Sequence, residues 1–239
     1  MSLVRADNEK YQFGWEQKLS DASKSAIINS IENDRPTPMP ALEGRVGVRR
    51  LNCDDIGSVV IKEYRRGGLI GRLLGNSHLR IGTGRAESEV EYLNLAAANK
   101  VNVPAPIGYV ETKGSIYKAW SVLREIPGAT SLAEMARQDT SKVDLILDKA
   151  AAEIVKLIQS RIFHIDLHPG NVLISDSGEV FLIDFDKASK FTGELKDLRD
   201  MYLCRWRRAV IKHNLPHFLG ERMSLNLRQN NVWDERHQK

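Results

Sequence analysis

The stretch of residues 164–186, HIDLHPGNVLISDSGEVFLIDFD, decides the fold. Two apolar runs, 172–174 and 180–183, enclose a short polar turn, and this pattern predicts a β-hairpin. Such a hairpin would return Asp184, at the end of its second strand, to the neighbourhood of Asn171, at the start of its first strand. The sequence therefore predicts that two oxygen-bearing side chains converge at one end of a hairpin.

The chemistry of these side chains is that of a site for phosphoryl transfer. The carboxylate of Asp166 is suited to accept a proton from an attacking hydroxyl. Asn171 offers a neutral oxygen and Asp184 a charged oxygen to a hard cation such as Mg²⁺. A lone DxxxxN pattern is usually only a set of turn-forming residues, but His164 and the IDFD strand end favour a metal-binding loop here.

The pattern is similar to the signature of protein kinases, which implies that a phosphate-binding lysine lies upstream. Lys62 ends the β-rich run GSVVIKEY and is our candidate for the α and β phosphates of ATP. Residues 85–100 lack proline and glycine and predict a helix. We expect Glu91 in that helix to pair with Lys62, because EYLNL resembles the kinase C helix, and Glu87 is the alternative.

The other expected nucleotide contacts have weaker signals. Gly44 and Gly47, in GRVGV, precede the strand predicted before the lysine strand, where backbone amides are able to approach phosphates without side-chain clashes. The run AWSVLREIPG predicts a strand that leads into a linker. Main-chain groups around Glu125 in this linker would meet adenine.

The short C-terminal part of the chain discriminates between kinds of kinase. Only 55 residues follow Asp184 in a chain of 239, no APE motif follows it, and residues 195–213 already predict an amphipathic helix. A protein substrate normally docks on the activation segment that is missing here. We therefore expect a smaller or membrane-borne hydroxyl acceptor.

A more specific resemblance rests on four motifs, and YRRGG, just after the lysine strand, is more specific than the metal-binding loop, which many kinase relatives share. These motifs resemble the lipopolysaccharide kinase family over roughly residues 44–210, and they are YRRGGLIGRLLGN (64–76), RAESEVEYL (85–93), VPAP (103–106) and HIDLHPGNVLIS with FLIDFDKA. The resemblance implies ATP- and Mg²⁺-dependent phosphorylation of a sugar hydroxyl, that of 3-deoxy-D-manno-octulosonic acid (Kdo), on a Kdo-lipid A precursor. Two residues depart from the protein-kinase pattern, since Asp186 replaces the DFG glycine and His168 replaces a lysine. Whether Asp186 adds a metal oxygen stays open.

We expect an α+β, bilobal protein-kinase-like fold with a small β-rich N-lobe (41–127) and a mainly helical C-lobe (128–239), shortened at its C-terminus. Residues 1–40 match none of these motifs and are expected to form a polar arm and a proline-rich linker. No run of about 18 apolar residues and no signal peptide are evident, and the two cysteines do not suggest a disulfide framework. These features predict a cytoplasmic protein.

The positive charge is concentrated in one stretch. Residues 61–85 carry a net charge of +5, whereas the whole chain carries +4. Interleaved leucines and the side chains of Arg65, Arg66 and Arg72 make this stretch a candidate for contact with an anionic membrane surface at the inner face of the inner membrane. A second basic cluster, residues 205–208 with Trp206, is expected to extend that surface. Nucleic acid is not an expected partner, because no nucleic-acid-binding module accompanies the charge.

Three hypotheses remain at this level. The first is a glycolipid or sugar kinase, the second is a kinase for another acceptor, such as a heptose, a protein or a small metabolite, and the third is an ATP-binding pseudokinase scaffold. The set Lys62, Asp166, Asn171 and Asp184 argues against a pseudokinase. The short segment after Asp184 argues against a protein kinase.

Overall fold

The structure is a computed structural model, which describes residues 3–16, 19–33, 48–64, 77–80, 82–140 and 143–230. The chain divides into two compact units. Unit 1 comprises Met1–Asn94 and Pro104–Glu125, and unit 2 comprises Leu95–Val103 and Ile126–Lys239. Six α-helices and antiparallel sheets occur among the described residues, so the expected mixture of helix and strand is confirmed.

Unit 1 contains most of the strands. Its elements are β1 (Leu3–Asp7), β2 (Tyr11–Glu16), α1 (Asp21–Asn33), β3 (Val48–Cys53), β4 (Gly57–Glu63), β5 (His78–Leu79), α2 (Arg85–Ala98, of which the residues from Leu95 onward belong to unit 2), β6 (Pro106–Thr112), β7 (Ile116–Tyr117) and β8 (Ala119–Arg124). Six of these strands form an antiparallel sheet in the order β1-β2-β6-β8-β4-β3. The predicted lysine strand is therefore confirmed as β4, in the interior of this sheet.

The alternation of side chains along β4 determines where Lys62 lies. Val59 and Ile61 are fully buried against α1, together with Ile27 of that helix. Because successive side chains of a strand point to opposite faces, Lys62 lies on the other face, opposite Ser121 of β8. Helix α2 packs on this second face through Ala86 and other small or apolar side chains.

The N-terminal residues are not the separate arm that we expected. Strands β1 and β2 extend the six-stranded sheet, because β2 pairs with β6 over five residues, from Tyr11 opposite Thr112 to Trp15 opposite Gly108. Helix α1 contributes to the core of unit 1. Of the expected proline-rich linker, residues 33–40, Asn33 is the last residue of α1, and residues 34–40 lie outside the described residues.

Unit 2 contains most of the helices. Its remaining elements are β9 (Thr130–Ser131), α3 (Leu132–Gln138), α4 (Val143–Gln159), β10 (Ile162–Phe163), β11 (Val172–Ile174), β12 (Val180–Leu182), β13 (Ser189–Lys190), α5 (Leu195–Lys212) and α6 (Phe218–Gln229). Helix α4 is central to its core, since it buries apolar residues along its whole length and packs against α6 and β12. Among the described residues, no helix has both the length and the apolar character that crossing a bilayer requires.

The predicted hairpin of the 164–186 stretch is confirmed as β11 and β12, which pair antiparallel with Val172 opposite Leu182. The sequence of residues 131–137 predicts a helix with Thr130 as its cap, and this helix is present as α3, but its N-cap is Ser131. The hydroxyl of Ser131 accepts a hydrogen bond of 3.1 Å from the amide of Glu134. Thr130 belongs to β9 instead, where it pairs with Ile174.

A single carboxylate joins α1 to the turn between β3 and β4. Asp55 in this turn accepts hydrogen bonds from the amide of Ser20, at 2.8 Å, and from the hydroxyl of Ser23. Ser20 in turn caps α1, because its hydroxyl accepts a bond from the amide of Ser23. The hydrogen bond from Ser23 contributes most to lowering the pKa of Asp55 to about 2.

We predict that Asp55→Asn destabilises the protein at neutral pH and that this difference disappears in acid. The pKa of Asp55 is lower in the folded than in the unfolded state, so its ionised form stabilises folding above the ordinary carboxyl pKa of 3.8. That contribution is lost as the pH falls towards 2. Urea unfolding of both proteins at a series of pH values measures the difference, with Asp54→Asn in the same exposed turn as the control. A constant difference between pH 7 and pH 3 would contradict this account.

Candidate active site

In unit 1, the central polar contact is an ion pair between β4 and α2. The ammonium of Lys62 lies 2.8 Å from Oε1 of Glu89, and the side chain of Glu89 is fully buried. The side chain of Lys62 keeps a quarter of its surface exposed, and its Nζ lies 5.0 Å from the centre of the Tyr64 ring. The pair therefore holds a partly accessible cation against a fully buried anion.

The second oxygen of Glu89 is bound as well. Its Oε2 accepts a hydrogen bond of 2.9 Å from the hydroxyl of Ser121 and another from the hydroxyl of Tyr64. A buried carboxylate is costly unless its oxygens are paired and hydrogen-bonded. Three donors satisfy that requirement here, and together they fix the orientation in which Glu89 meets Lys62.

The prediction that Glu91 pairs with Lys62 is wrong, and the alternative, Glu87, is wrong as well. Glu91 is 51% exposed and binds Arg5 of β1, with 3.1 Å between Nη2 and Oε1. Glu87 accepts hydrogen bonds of 2.7 Å from Arg5 and from the hydroxyl of Tyr109. Both carboxylates are thus engaged by other partners on other parts of the helix surface.

The helical period explains the error. The buried stripe of α2 includes Ala86, Val90 and Leu93, and Glu89 lies three residues after the first of these and four before the last. Glu89 therefore belongs to the stripe that faces the sheet, whereas Glu91 does not. The resemblance of EYLNL to the kinase C helix therefore indicates the wrong glutamate, whereas the spacing of the apolar residues indicates Glu89.

The remaining predicted nucleotide contacts of unit 1 are only partly described. Gly44 and Gly47 lie outside the described residues. The carboxylate of Glu125 binds Arg50, with 2.5 Å between Oε1 and Nε, and accepts a hydrogen bond from the hydroxyl of Ser58. The amides of Arg124 and Glu125 donate to the carbonyls of Ala105 and Ser58. These two N–H groups support the sheet, so an adenine contact at this position would use other main-chain groups.

In unit 2, the central polar contacts are made by a buried imidazole ring. His164 is almost completely buried, and this burial lowers its pKa. Its Nε2 lies 2.9 Å from the carbonyl of Ile183, and its Nδ1 accepts from the amide of Asp166 at 3.3 Å. Since a carbonyl only accepts, we assign the proton to Nε2. His164 thereby links the backbone of Asp166 to the residue that precedes Asp184.

Asn171 completes this connection. Its side-chain Nδ2 donates to the backbone carbonyl of Asp166 at 2.8 Å. Its backbone carbonyl accepts from the amide of Ile183 at 3.0 Å. Asp184, the next residue, has a φ of 72°, a left-handed conformation that costs a non-glycine residue roughly 1 kcal/mol. The structure thus links Asp166 to Asn171 by a hydrogen bond, and it links Asn171 to Ile183, the residue that precedes Asp184.

The donor set of this loop fits Mg²⁺. The bond from Nδ2 orients the amide of Asn171 so that Oδ1, its cation-binding end, is turned away from the carbonyl of Asp166. Among the residues that the structure describes, no group of three or more His, Cys, Asp or Glu side chains could hold a metal ion. A site with one amide oxygen and one carboxylate suits Mg²⁺, which commonly takes few protein ligands and completes its octahedron with phosphate oxygens and water.

His168, which replaces the usual lysine, has a structural role in this loop. It is the N-cap of the short 3-10 turn Pro169–Asn171, and its Nδ1 accepts from the amide of Gly170 at 3.0 Å. Burial lowers the pKa of His168, and its ring centre lies 5.9 Å from that of His213. The turn that presents Asn171 is therefore stabilised by a side chain that the sequence comparison only marked as a departure.

In the second basic cluster, Arg207 and Arg208 are exposed as expected, but Trp206 is not part of an exposed surface. Trp206 is buried, and its Nε1 donates to the carbonyl of Leu219 at 3.0 Å. Arg207 donates to the hydroxyl of Ser224 at 2.9 Å, and the guanidinium of Arg205 lies 5.4 Å from the centre of the Phe163 ring. These contacts within unit 2 engage much of the cluster. The other basic residues predicted to meet a membrane, Arg65, Arg66 and Arg72, lie outside the described residues.

The lysine–glutamate pair of unit 1 and the Asp, Asn and Asp loop of unit 2 are the residue sets by which kinase-type phosphotransferases are recognised. Comparison with known proteins agrees. The sequence model of the lipopolysaccharide kinase (Kdo/WaaP) family matches residues 30–219, which is most of the chain. The chain belongs to this family.

Three similar proteins are described as 3-deoxy-D-manno-octulosonic acid kinases. That of Vibrio cholerae serotype O1 is 36% identical over 130 residues, which are 53% of this chain and 55% of that protein. That of Photobacterium damsela subsp. piscicida is 30% identical over 159 residues, 65% of each chain. That of Xylella fastidiosa strain M23 is 26% identical over 176 residues, 72% of this chain and 70% of that protein. The match thus spans between about half and two thirds of the length of the first two relatives.

We predict that Glu89→Ala lowers the free energy of unfolding by about 3 kcal/mol, because it leaves the hydroxyls of Tyr64 and Ser121 and the ammonium of Lys62 without their shared acceptor. Glu91→Ala, the matched control on the same helix, should change it by less than about 1 kcal/mol, since its ion pair is exposed. Urea denaturation measures both values. Equal effects of the two substitutions would contradict the assignment of Glu89 as the buried partner.

Proposed function

We propose that this protein is an ATP-dependent kinase that phosphorylates a hydroxyl of Kdo on the inner core of lipid A, a step of lipopolysaccharide biosynthesis. The observation that carries the proposal is the ion pair between the partly exposed Lys62 and the buried Glu89 in a chain of the lipopolysaccharide kinase family. A lysine held in this way is suited to bind the α and β phosphates of ATP. A kinase of this family without such a lysine–glutamate pair would lack a principal contact with the phosphates.

We assign the phosphates of ATP to the lysine of unit 1 and Mg²⁺ to the loop of unit 2. Lys62 would hold the α and β phosphates, and Asn171 and Asp184 would hold Mg²⁺. The backbone amides near Gly44 and Gly47 would approach the phosphates, and main-chain groups around Glu125 would meet adenine. Mg²⁺ supplies charge neutralisation for the phosphate oxygens during transfer. Asp186 is not assigned to the metal.

Asp166 would act on the acceptor. Its carboxylate accepts the proton of the sugar hydroxyl while the hydroxyl oxygen bonds to the γ-phosphorus, and the bond from that phosphorus to the β–γ bridging oxygen breaks to release ADP. The backbone bonds to His164 and Asn171 hold Asp166 in place before the acceptor arrives. Most of the acceleration in such a reaction comes from positioning and electrostatic stabilisation rather than from covalent chemistry.

The nature of the acceptor is inferred from two observations. Helix α5 begins at Leu195, so only ten residues separate it from Asp184, and this leaves little segment on which a protein substrate would dock. The similar proteins are described as 3-deoxy-D-manno-octulosonic acid kinases. We therefore propose a Kdo-lipid A precursor as the acceptor, reached at the cytoplasmic face of the inner membrane with help from Arg65, Arg66 and Arg72.

Two other functions compete with this proposal. A kinase for a heptose, a protein or a small metabolite would keep the same nucleotide residues and differ only in its acceptor. A pseudokinase scaffold would bind ATP without transfer. Asn171 is bonded both to Asp166 and to Ile183, the residue before Asp184, and this arrangement favours a working kinase over a scaffold.

We predict that Asp166→Ala lowers the turnover number strongly, on the order of a hundredfold or more, but leaves ATP affinity within about twofold of the wild type. Asp184→Ala should instead weaken the Mg²⁺-dependent binding of ATP, because it removes the charged metal ligand. Steady-state kinetics with Mg·ATP measure the turnover number. Equilibrium titration with ATP, in the presence and in the absence of Mg²⁺, measures the binding of the nucleotide. Equal loss of ATP binding in both variants would contradict this division of roles.

The proposal is tested by transfer of labelled γ-phosphate from Mg·ATP to purified Kdo-lipid A precursor. Heptosylated core, a generic protein substrate and the Asp166→Ala variant run in parallel as controls. The proposal predicts label on the Kdo acceptor that is lost in the variant. Label on another acceptor would refute the proposed substrate, and bound ATP without label on any acceptor would favour the scaffold.

A further inference from the structure

The short hairpin of β5 and β7 in unit 1 has one buried and one exposed face. The two strands pair antiparallel, with His78 opposite Tyr117 and Leu79 opposite Ile116. His78 and Tyr117 are almost completely buried, and their ring centres lie 5.8 Å apart. Because side chains alternate across a strand, Leu79 and Ile116 must lie together on the opposite face.

Contacts on the buried face fix the hairpin in unit 1. The Nε2 of His78 lies 3.3 Å from the carbonyl of Tyr64, and its Nδ1 lies 3.3 Å from Nη1 of Arg85. The hydroxyl of Tyr117 accepts from the amide of Arg85 at 3.0 Å. The guanidinium of Arg80 lies 4.2 Å from the centre of the Tyr117 ring. The contacts of His78 and Tyr117 on the buried face therefore fix the direction in which Leu79 and Ile116 point.

The exposed face of the hairpin carries two aliphatic side chains, whereas the solvent-exposed face of a sheet usually carries polar ones. Leu79 is 52% exposed and Ile116 is 55% exposed, and directly opposite residues have Cβ atoms only about 5 Å apart. Single exposed apolar side chains are common on protein surfaces, but a sheet with one solvated face usually places polar residues there. Leu79 and Ile116 thus form one continuous aliphatic area, which we call the Leu79–Ile116 patch.

The surroundings of this patch are basic. Residues 77–85 and 112–118 carry four Lys or Arg side chains and no Asp or Glu. Lys118 is exposed and follows Ile116 by two residues, so it lies on the same side of the strand as the patch. Two of the other cations are neutralised within unit 1, since Arg80 pairs with Glu111 at 2.9 Å and Lys113 pairs with Asp7 at 2.6 Å. Lys118 is therefore the cation best placed to meet an external anion.

We propose that the Leu79–Ile116 patch, with Lys118, docks on an anionic lipid bilayer, with the two aliphatic side chains entering the boundary between headgroups and acyl chains. A lipid surface fits better than a protein partner, because stable protein interfaces bury about 800 Å² per partner and are rich in aromatic anchors. Two aliphatic side chains beside a lysine match the combination of apolar insertion and electrostatic attraction that interfacial binding uses. The link between this docking and catalysis rests on the proposed function, because an acceptor sugar carried by a lipid lies at a membrane surface.

Co-sedimentation with phosphatidylcholine vesicles, with and without phosphatidylglycerol, tests the docking directly. The double variant Leu79→Ser with Ile116→Ser should bind the anionic vesicles about tenfold more weakly than the wild type. Lys118→Glu should also bind more weakly, and its loss should shrink as the salt concentration rises. Leu145→Ser is the matched control, because Leu145 is 64% exposed but belongs to α4 of unit 2. Urea unfolding checks that all variants remain folded.

Each outcome of this experiment decides the proposal. Normal binding by the control with weak binding by the double variant supports it. It is overturned if the wild type does not bind anionic vesicles, if the double variant binds like the wild type, or if the control loses as much. A wild-type dimer in sedimentation velocity that dissociates in the double variant would overturn it in favour of a second copy of this chain as the partner.

A second arm separates this proposal from the proposed function. The double variant should phosphorylate a detergent-dispersed Kdo-lipid A precursor at the wild-type rate and a vesicle-borne precursor more slowly. If the wild type transfers no phosphate to either form, the proposed function fails. The vesicle-binding result still decides the docking proposal in that case, because it does not depend on transfer.

Discussion

The buried carboxylate of Glu89 is the constraint on which the architecture of unit 1 depends. A charge with no solvent contact must be compensated within the fold, and here the compensation comes from Lys62 of β4, Ser121 of β8 and Tyr64 just after β4. Removal of Lys62 would leave a buried charge uncompensated, and removal of either hydroxyl would weaken the hydrogen bonding of Oε2. The same bonds therefore pack α2 on the sheet and determine where the ammonium of Lys62 lies.

In unit 2, a buried imidazole ring fixes the loop around Asp166 and Asp184. His164 is kept neutral by burial, and its two ring nitrogens serve one donor and one acceptor of the backbone, so that the ring bridges the segments before Asp184 and around Asp166. The edge-to-face contact with Phe185, at 4.6 Å between ring centres, adds packing to these bonds. The left-handed backbone of Asp184 is held by this support. Functional groups that are fixed in advance need little reorganisation during the reaction, which is the form of catalysis that phosphoryl transfer mainly requires.

Much of this organisation was predictable from local sequence patterns, and the failures share a cause. The hairpin after Asn171, the lysine strand and the helix after residue 85 all follow from periodicity within a few residues. Strand β2 was missed because its partner β6 lies almost one hundred residues away in the sequence, and β1 joins the sheet only by pairing with β2. Trp206 was misassigned to the surface because α5 mixes buried and basic positions around its circumference. The choice of Glu91 over Glu89 shows that a motif resemblance is weaker evidence than the face of the helix on which a residue lies.

We propose that Lys62 binds the phosphates of ATP and that Asn171 and Asp184 bind Mg²⁺. A crystal structure of the protein with Mg²⁺ and a non-hydrolysable ATP analogue tests it most directly. The account predicts that Nζ of Lys62 contacts the α or β phosphate, that Glu89 retains its bond to Lys62, and that Asn171 and Asp184 bind the metal. A nucleotide whose phosphates are held by other residues, or a metal without Asp184 as a ligand, would contradict the account.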